Sequence, residues 1–230
     1  VWNKSAYNAS IRDIEMPDRI KKLPVSPKGF SVPWFVAFID GVPDFRVVRE
    51  NGIAIAHNRK LCWVCGEPMG RMKAISLGPM CIINRVISEP PSHRECAVYS
   101  CLACPFLSNP RMQRHAANLP ENIGAAGVAI LRNPGVMAVW ITRHYEPFGT
   151  DGQGIGRAGV LFTFDDAEEI LWFAEGRAAT RAEIMASIDS GFPLLEEAAA
   201  KQDQHYKQGD AAMKQLMKQR EAALRLLPEA

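Results

Sequence analysis

Six cysteines occur in the chain, all between residues 62 and 104. Cys62-Trp-Val-Cys65 and Cys101-Leu-Ala-Cys104 are Cys-x-x-Cys pairs, Cys81 and Cys96 lie between them, and His93 stands three residues ahead of Cys96. This is the spacing of metal ligands rather than of a disulfide framework, and it favours a reducing, cytoplasmic compartment. Two thiolates separated by two residues can grip one ion because the tight turn aims both sulfurs the same way. Gly66, directly after, relieves crowding where backbone amides face sulfur. Ser92 and Glu95 read as a capping box after Pro90-Pro91, and Pro105 follows the last apolar turn, which predicts a helix from about His93 to Cys104. His93 and Cys96 then share a face of its first turn, where the amide-rich helix end favours a thiolate.

The expected metal ligands are therefore Cys62, Cys65, His93 and Cys96. Other sets stay open: Cys62, Cys65, Cys101 and Cys104 would make a zinc ribbon, and Cys81 could take the place of His93. A second site would need Cys81, Cys101, Cys104 and the outlying His115 together. Four protein ligands leave no open coordination position, and three thiolates make an ion a poor Lewis acid. The expected role is structural.

The elements that must position these residues are readable in outline. Residues 1–32 form a polar arm with a short helical piece expected around Ser10 to Glu15. Residues 33–120 hold the cysteine cluster and open with two aromatic or β-branched runs around Asp40-Gly41, a hairpin signal, with Trp34, Phe35 and Phe38 expected to begin a core. Between the two ligand pairs, residues 71–88 suit a small hairpin or an irregular loop with strand-like flanks. After a polar connection from Ser108 to Asn122, residues 121–192 predict a second hairpin across Asn133-Pro134-Gly135 and a strand at Val160 to Phe164. Two helices should follow, one from Asp165 or Asp166 to Gly176 and one from the capping box Thr180-Arg-Ala-Glu183 to Gly191. Residues 193–230 read as a helical tail that Gly209 can divide, its stripe including Leu216, Met217, Ala223 and Leu227. The fold class expected is α+β.

Residues 61–105, in the order knuckle, hairpin, helix, resemble a treble-clef zinc finger of the Cys-Cys-His-Cys kind, and that resemblance implies a structural Zn2+. From Pro33 to Leu107 the chain is similar to uncharacterised zinc-binding proteins of bacterial and phage genomes, on its Cys-Trp-Val-Cys-Gly and Pro-Pro-Ser-His-Arg-Glu-Cys phrases. That family carries no settled activity and implies an intracellular bacterial or phage setting.

The chain of 230 residues has a net charge of only +2, yet residues 1–120 hold 16 Lys/Arg against 9 Asp/Glu while the rest hold 11 against 16. A basic front half can attract phosphate, or dock on the acidic half of its own chain or a neighbour. Arg59, Lys60, Arg71, Lys73, Arg85 and Arg94 are the candidates for a basic platform. No apolar run is long enough for a spanning helix, and Val1-Trp2-Asn3-Lys4 lacks the apolar core of a signal peptide. The first residue is not Met, so the chain can be part of a longer product.

Other motifs fail on context. Gly154-Ile-Gly156-Arg-Ala-Gly159 spells the dinucleotide fingerprint but runs into a strand, without a helix N-terminus to hold pyrophosphate. Gly-Glu-Pro-Met-Gly after Cys65 cannot open the helix of a thioredoxin-like redox pair. The His-x-Glu pair of a zinc deaminase is missing. A nuclease of the His-metal finger class would need a general-base histidine in the finger hairpin, and the nearest, His57, precedes the knuckle without obvious partner ligands. The paired helices at 165–190 match a helix-turn-helix in length, but the second carries two acidic residues against one Arg, a poor face for DNA. The sequence thus favours a non-enzymatic, zinc-stabilised interaction protein that binds nucleic acid or a protein complex, with no membrane and no small-molecule cofactor; the alternative is the metal-dependent nuclease.

Overall fold

A computed structural model describes residues 3–110, 112, 126–127, 133–150 and 157–229. The described chain is α+β, built on an antiparallel sheet of order β3 (Lys73–Leu77), β5 (Val136–Thr142), β8 (Glu169–Ala174) and β9 (Arg177–Ala178). All seven residues of β5 are buried. With neighbours on both edges and cover on both faces, a strand has no solvent side, so its sequence reads as a continuous apolar run. Val136, Ala138 and Trp140 enter one core together with Ile75, Ile184 and Phe162, while Met137, Val139 and Ile141 enter another with Ala97 and Cys101. The second layer is α4 (Arg94–Ala103), followed by the short α5 (Pro105–Ser108). The opposite face is covered by α3 (Pro79–Asn84), by α6 (Arg181–Tyr206) and by α7 (Ala211–Leu224). A three-stranded sheet of order β4 (Val86–Ile87), β7 (Gly159–Phe164) and β6 (Tyr145–Thr150) also packs there.

The hairpin at Asp40-Gly41 is present as β1 (Val36–Ile39) and β2 (Val42–Val48), and both turn residues take positive φ, 49° and 79°. These are the left-handed conformations that a tight two-residue hairpin turn needs. Phe38, however, is exposed and starts no core; the base of the hairpin does, since Phe35 stacks on buried Trp63 with centroids 4.8 Å apart. A seven-residue helix, α2 (Gly52–Asn58), connects the hairpin to the cysteine segment.

Four expectations are corrected. In the arm, Ser10 to Asp13 form turns and Ile14 a bend, and the α-helical piece is α1 (Asp18–Lys21) behind Pro17, after a single 3₁₀ turn at Lys4–Ala6. No local hairpin fills residues 71–88: β3 pairs with β5, helix α3 follows, and β4 pairs with β7 in the other sheet. The helix expected from Asp165 or Asp166 to Gly176 is instead strand β8 and a turn at Glu175-Gly176, both at positive φ, into β9. That removes the first member of the supposed helix-turn-helix. The helix from Thr180 does not stop at Gly191; it runs through Pro193 to Tyr206. Ile184, Ile188, Gly191, Leu195 and Ala199 are all buried along it, and this stripe at helical spacing outweighs what Gly and Pro cost.

Thr180 and Glu183 form the capping box, with Thr180 N–H donating to Glu183 at 2.8 Å and Glu183 N–H donating to Thr180 Oγ1 at 3.3 Å. Thr180→Ala should cost about 1 kcal/mol in a urea melt. The Arg177 guanidinium, then the Thr180 donors, hold the Glu183 carboxyl at about 2. Because that group is depressed, its contribution is present above the ordinary carboxylate range and lost as pH falls towards 2; its exposure keeps the contribution small. If Thr180→Ala left the midpoint unchanged, this cap would not be holding the start of α6.

The chain turns at Lys207 and Gly209, both at positive φ, before α7, as the position of Gly209 suggested. Leu216, Ala223 and Leu227 are buried as expected, and Met217 is exposed. Residues 128–132 of the second expected hairpin, most of the 108–122 connection and the first two glycines of the fingerprint lie outside the described residues. No helix among the described residues is long and apolar enough to cross a membrane.

Candidate metal centre

The Cys62–Cys65 segment folds as a small backbone loop. Cys62 N–H donates to the Glu67 carbonyl and Gly66 N–H to the Cys62 carbonyl, both at 2.8 Å, and Met69 N–H closes the loop on the Lys60 carbonyl at 2.9 Å. Gly66 has φ +74°, and a Cβ there would lie 2.4 Å from the Trp34 ring, so the knuckle needs glycine twice over. The loop is pinned on both sides: Trp63 N–H donates to Pro91, and the Val64 carbonyl accepts from Trp34 N–H.

The second ligand pair sits where α4 begins. His93, and not Ser92, is its N-cap, and the expected capping box does not form. Ser92 is engaged in a two-bond bridge with Ala74 of β3, and Glu95 reaches Arg19 of the arm at 2.9 Å. His93 and Cys96 still share the first turn, as the three-residue spacing required. Cys62, Cys65, His93 and Cys96 present donor atoms that all lie within 4.8 Å of one another, close to the roughly 3.5–3.8 Å separations that tetrahedral Zn–S and Zn–N bond lengths imply. This is the one group of three or more His, Cys, Asp or Glu side chains able to hold a metal among the described residues.

The imidazole is already set for that task. His93 Nε2 lies 3.1 Å from the Pro68 carbonyl, which can only accept, so a hydrogen bond there takes the proton on Nε2 and, in the neutral ring, leaves the Nδ1 lone pair for a metal. Nδ1 faces Cys65 Sγ at 3.4 Å and Cys96 Sγ at 4.0 Å. A carbonyl fixing the far nitrogen is the usual outer support of a metal-bound histidine. Cys62 Sγ receives the His93 and Cys65 backbone N–H groups at 3.3 and 3.4 Å.

The three thiols compete for one negative charge when no cation balances them. Burial opposes the Cys62 thiolate, but hydrogen bonds from Cys65, Cys96 and the two amides overcome it and hold this thiol far below its usual range. Cys65 is pushed up to about 11, chiefly by Cys62, and Cys96 is held protonated by Cys62 and Cys65. A divalent cation would reverse this for all three, since a coordinated thiol is deprotonated.

Cys81, Cys101 and Cys104 lie outside the group, and burial raises all three thiols, Cys81 to about 11 and Cys101 to about 12. Cys101 is packed against the central sheet. His115 lies outside the described residues. His57 is held by Tyr145, whose hydroxyl lies 3.2 Å from Nδ1, and stacks edge-on with it.

The arm is the part that sequence reasoning left without a partner. Tyr7, Ile11, Met16 and Ile20 are buried in one cluster with Cys62, Cys65, Cys96 and Tyr99. Arg19 ties the arm to Glu67 of the knuckle and to Glu95 of α4 at once, and Lys22 joins Glu67 at 2.9 Å. No sequence signal names these pairs, because acidic residues are common near any basic arm.

Two of the six platform cations have acidic partners within the chain. Arg94 makes a two-pronged pair with Glu169 at 2.6 and 3.0 Å, and Arg85 pairs with Asp166 at 2.9 Å while lying over the Trp140 ring. Both are spent joining the basic front to the acidic back of the chain. Arg59, Lys60 and Arg71 are exposed and have no acidic partner among the described residues. Lys73 donates to the Gly70 and Arg71 carbonyls, and desolvation, then the Lys60 charge, lower its ammonium from the usual range.

No family model matches the chain, and neither the curated proteins nor the solved structures contain a match.

Proposed function

We propose that the four-donor centre holds one structural Zn2+ and that the protein is a non-enzymatic binding protein whose ligand is nucleic acid, held at its phosphates by Arg59, Lys60, Arg71 and Lys73. The closed set of one nitrogen and three sulfurs suits zinc, a mixed N/S tetrahedral ion, and leaves no coordination position for substrate. The observation that carries the reading is the sorting of the cations: Arg85 and Arg94 pair with carboxylates of the same chain, while the group flanking the knuckle has no acidic partner among the described residues. Uncompensated charge on a rigid platform attracts polyanions. Six thiols suit a reducing, cytoplasmic setting. A protein complex is the other partner class compatible with the same cations.

Neutralising four phosphates gives a log-affinity against log-salt slope of about −3 to −4. Arg59→Ala with Lys60→Ala should reduce that slope by about 2. Arg85→Ala or Arg94→Ala should leave it unchanged. Binding that is absent at low salt, or indifferent to salt, would reject the nucleic-acid reading.

A further inference from the structure

Arg19, in α1 of the arm, holds two carboxylates with one guanidinium: Nη1 pairs with Glu67, and Nε donates to Glu95 Oε1 at 2.9 Å. The two acceptors belong to opposite halves of the four-donor centre. Glu67 is two residues past Cys65, and its carbonyl accepts the Cys62 N–H inside the knuckle. Glu95 is the residue before Cys96 in the first turn of α4. The arm is fixed at this point by Ile20, which is 1% exposed and shares a cluster with Cys62, Cys65 and Cys96. Lys22 adds a second contact to Glu67 at 2.9 Å.

We infer that Arg19 is a positioning residue of the metal centre: it clamps the knuckle to α4, so that docking of the arm and binding of the ion strengthen each other. This rests on the zinc reading of the centre and adds that the arm sets how tightly the metal is held. A guanidinium is a rigid planar fork, and two carboxylates bound to it are kept at a fixed separation that a flexible ammonium does not impose. The ligand pairs it spans are distant in the chain, Cys65 and His93 being 28 residues apart, so their approach depends on contacts of this kind. Charge acts in the same direction. Three thiolates and a neutral imidazole around a divalent ion leave one net negative charge, to which Glu67 and Glu95 add two, and Arg19 and Lys22 set two positive charges against them. Coupling between two binding events is reciprocal, so whatever the ion does for the arm, the arm does for the ion.

The test uses the full chain and Zn2+ alone, with affinity read by competition against a chromophoric chelator. Arg19→Ala should raise the zinc Kd about tenfold, the lower end of what contacts supporting metal ligands contribute, because both ion pairs are partly exposed. Arg19→Lys keeps the charge but not the fork, and should recover only part of this, leaving about a threefold loss. Glu95→Gln, at a half-exposed position, removes one prong and should also weaken zinc about threefold, which answers the question even if Arg19→Ala does not fold. In the Arg19→Ala background, Glu95→Gln should add nothing. Lys4→Ala removes a cation paired with Asp13 within the arm and should leave the Kd unchanged. Saturated with Co2+, the parent and Arg19→Ala should show the same tetrahedral visible bands, since the four donors are untouched. The zinc concentration that protects Lys21, Lys22 and Lys28 from trypsin should rise by the same factor as the Kd. Equal zinc affinity in Arg19→Ala and the parent, an equal loss in Lys4→Ala, or additive losses from Arg19→Ala and Glu95→Gln would overturn the positioning role while leaving the metal reading intact. A parent chain that binds no zinc removes the metal reading and this inference with it.

Discussion

Cys96→Ser is expected to yield a protein that holds well under one equivalent of zinc and whose N-terminal arm is cut rapidly by trypsin. The expectation follows from what surrounds the sulfur. Cys96 is fully buried and shares its cluster with Tyr7, Ile11, Met16 and Ile20. Losing the ion leaves Cys62, Cys65, His93 and the new serine packed under an arm that has little core of its own, and metal-binding energy in such sites is folding energy. A loss exceeding about 4 kcal/mol in a urea melt is expected, together with cleavage near Lys21, Lys22 and Lys28. Cys101→Ala supplies the contrast, since that thiol lies among apolar side chains against the sheet and should keep full zinc. Acid should mimic the ligand variant: as pH falls, protons displace metal from thiolate and imidazole, so the arm loosens on the acid side and not the alkaline one. Equal zinc content and equal proteolysis of Cys96→Ser and the parent would remove the metal from its central place in this fold.

Gly66→Ala should be nearly as damaging, for a steric reason. A left-handed conformation costs a non-glycine residue roughly 1–2 kcal/mol, and displacing a packed ring adds roughly 1–3 kcal/mol. At Gly66 both apply, because the added Cβ meets the Trp34 ring at 2.4 Å. Gly41 has almost the same φ, yet nothing lies within 4 Å of a Cβ built there. Gly41→Ala should therefore lose only about 1–2 kcal/mol, against about 3–4 kcal/mol for Gly66→Ala. Comparable urea midpoints for the two would show that the Trp34 contact contributes nothing to holding the knuckle.

The four-residue cluster was legible because its geometry is local. Two residues between cysteines fix a turn, and three residues between His93 and Cys96 fix a helical face whether or not Ser92 is the cap. The hairpin at Asp40-Gly41 and the box at Thr180 are local in the same sense. What the sequence did not disclose depends on distant chain. The run Ile170 to Ala174 is as apolar as a buried helix, and only pairing with β5 makes it a strand. Pro193 normally argues for a stop, and only the cover that α6 gives to Trp140 and its neighbours carries the helix past it. The partner of Lys73 to Leu77 is separated from it by more than fifty residues, so no local hairpin signal could name it. Likewise the platform lost Arg85 and Arg94 to carboxylates contributed by the far half of the chain.

The two-bond bridge between Ala74 and Ser92 covers one position on the outer side of β3, just ahead of the first turn of α4. An open β-sheet margin recruits other chains, and this margin borders a largely apolar sheet. If the centre holds an ion as proposed, stripping it should loosen this bridge and leave the edge of β3 open to pairing with a neighbouring chain.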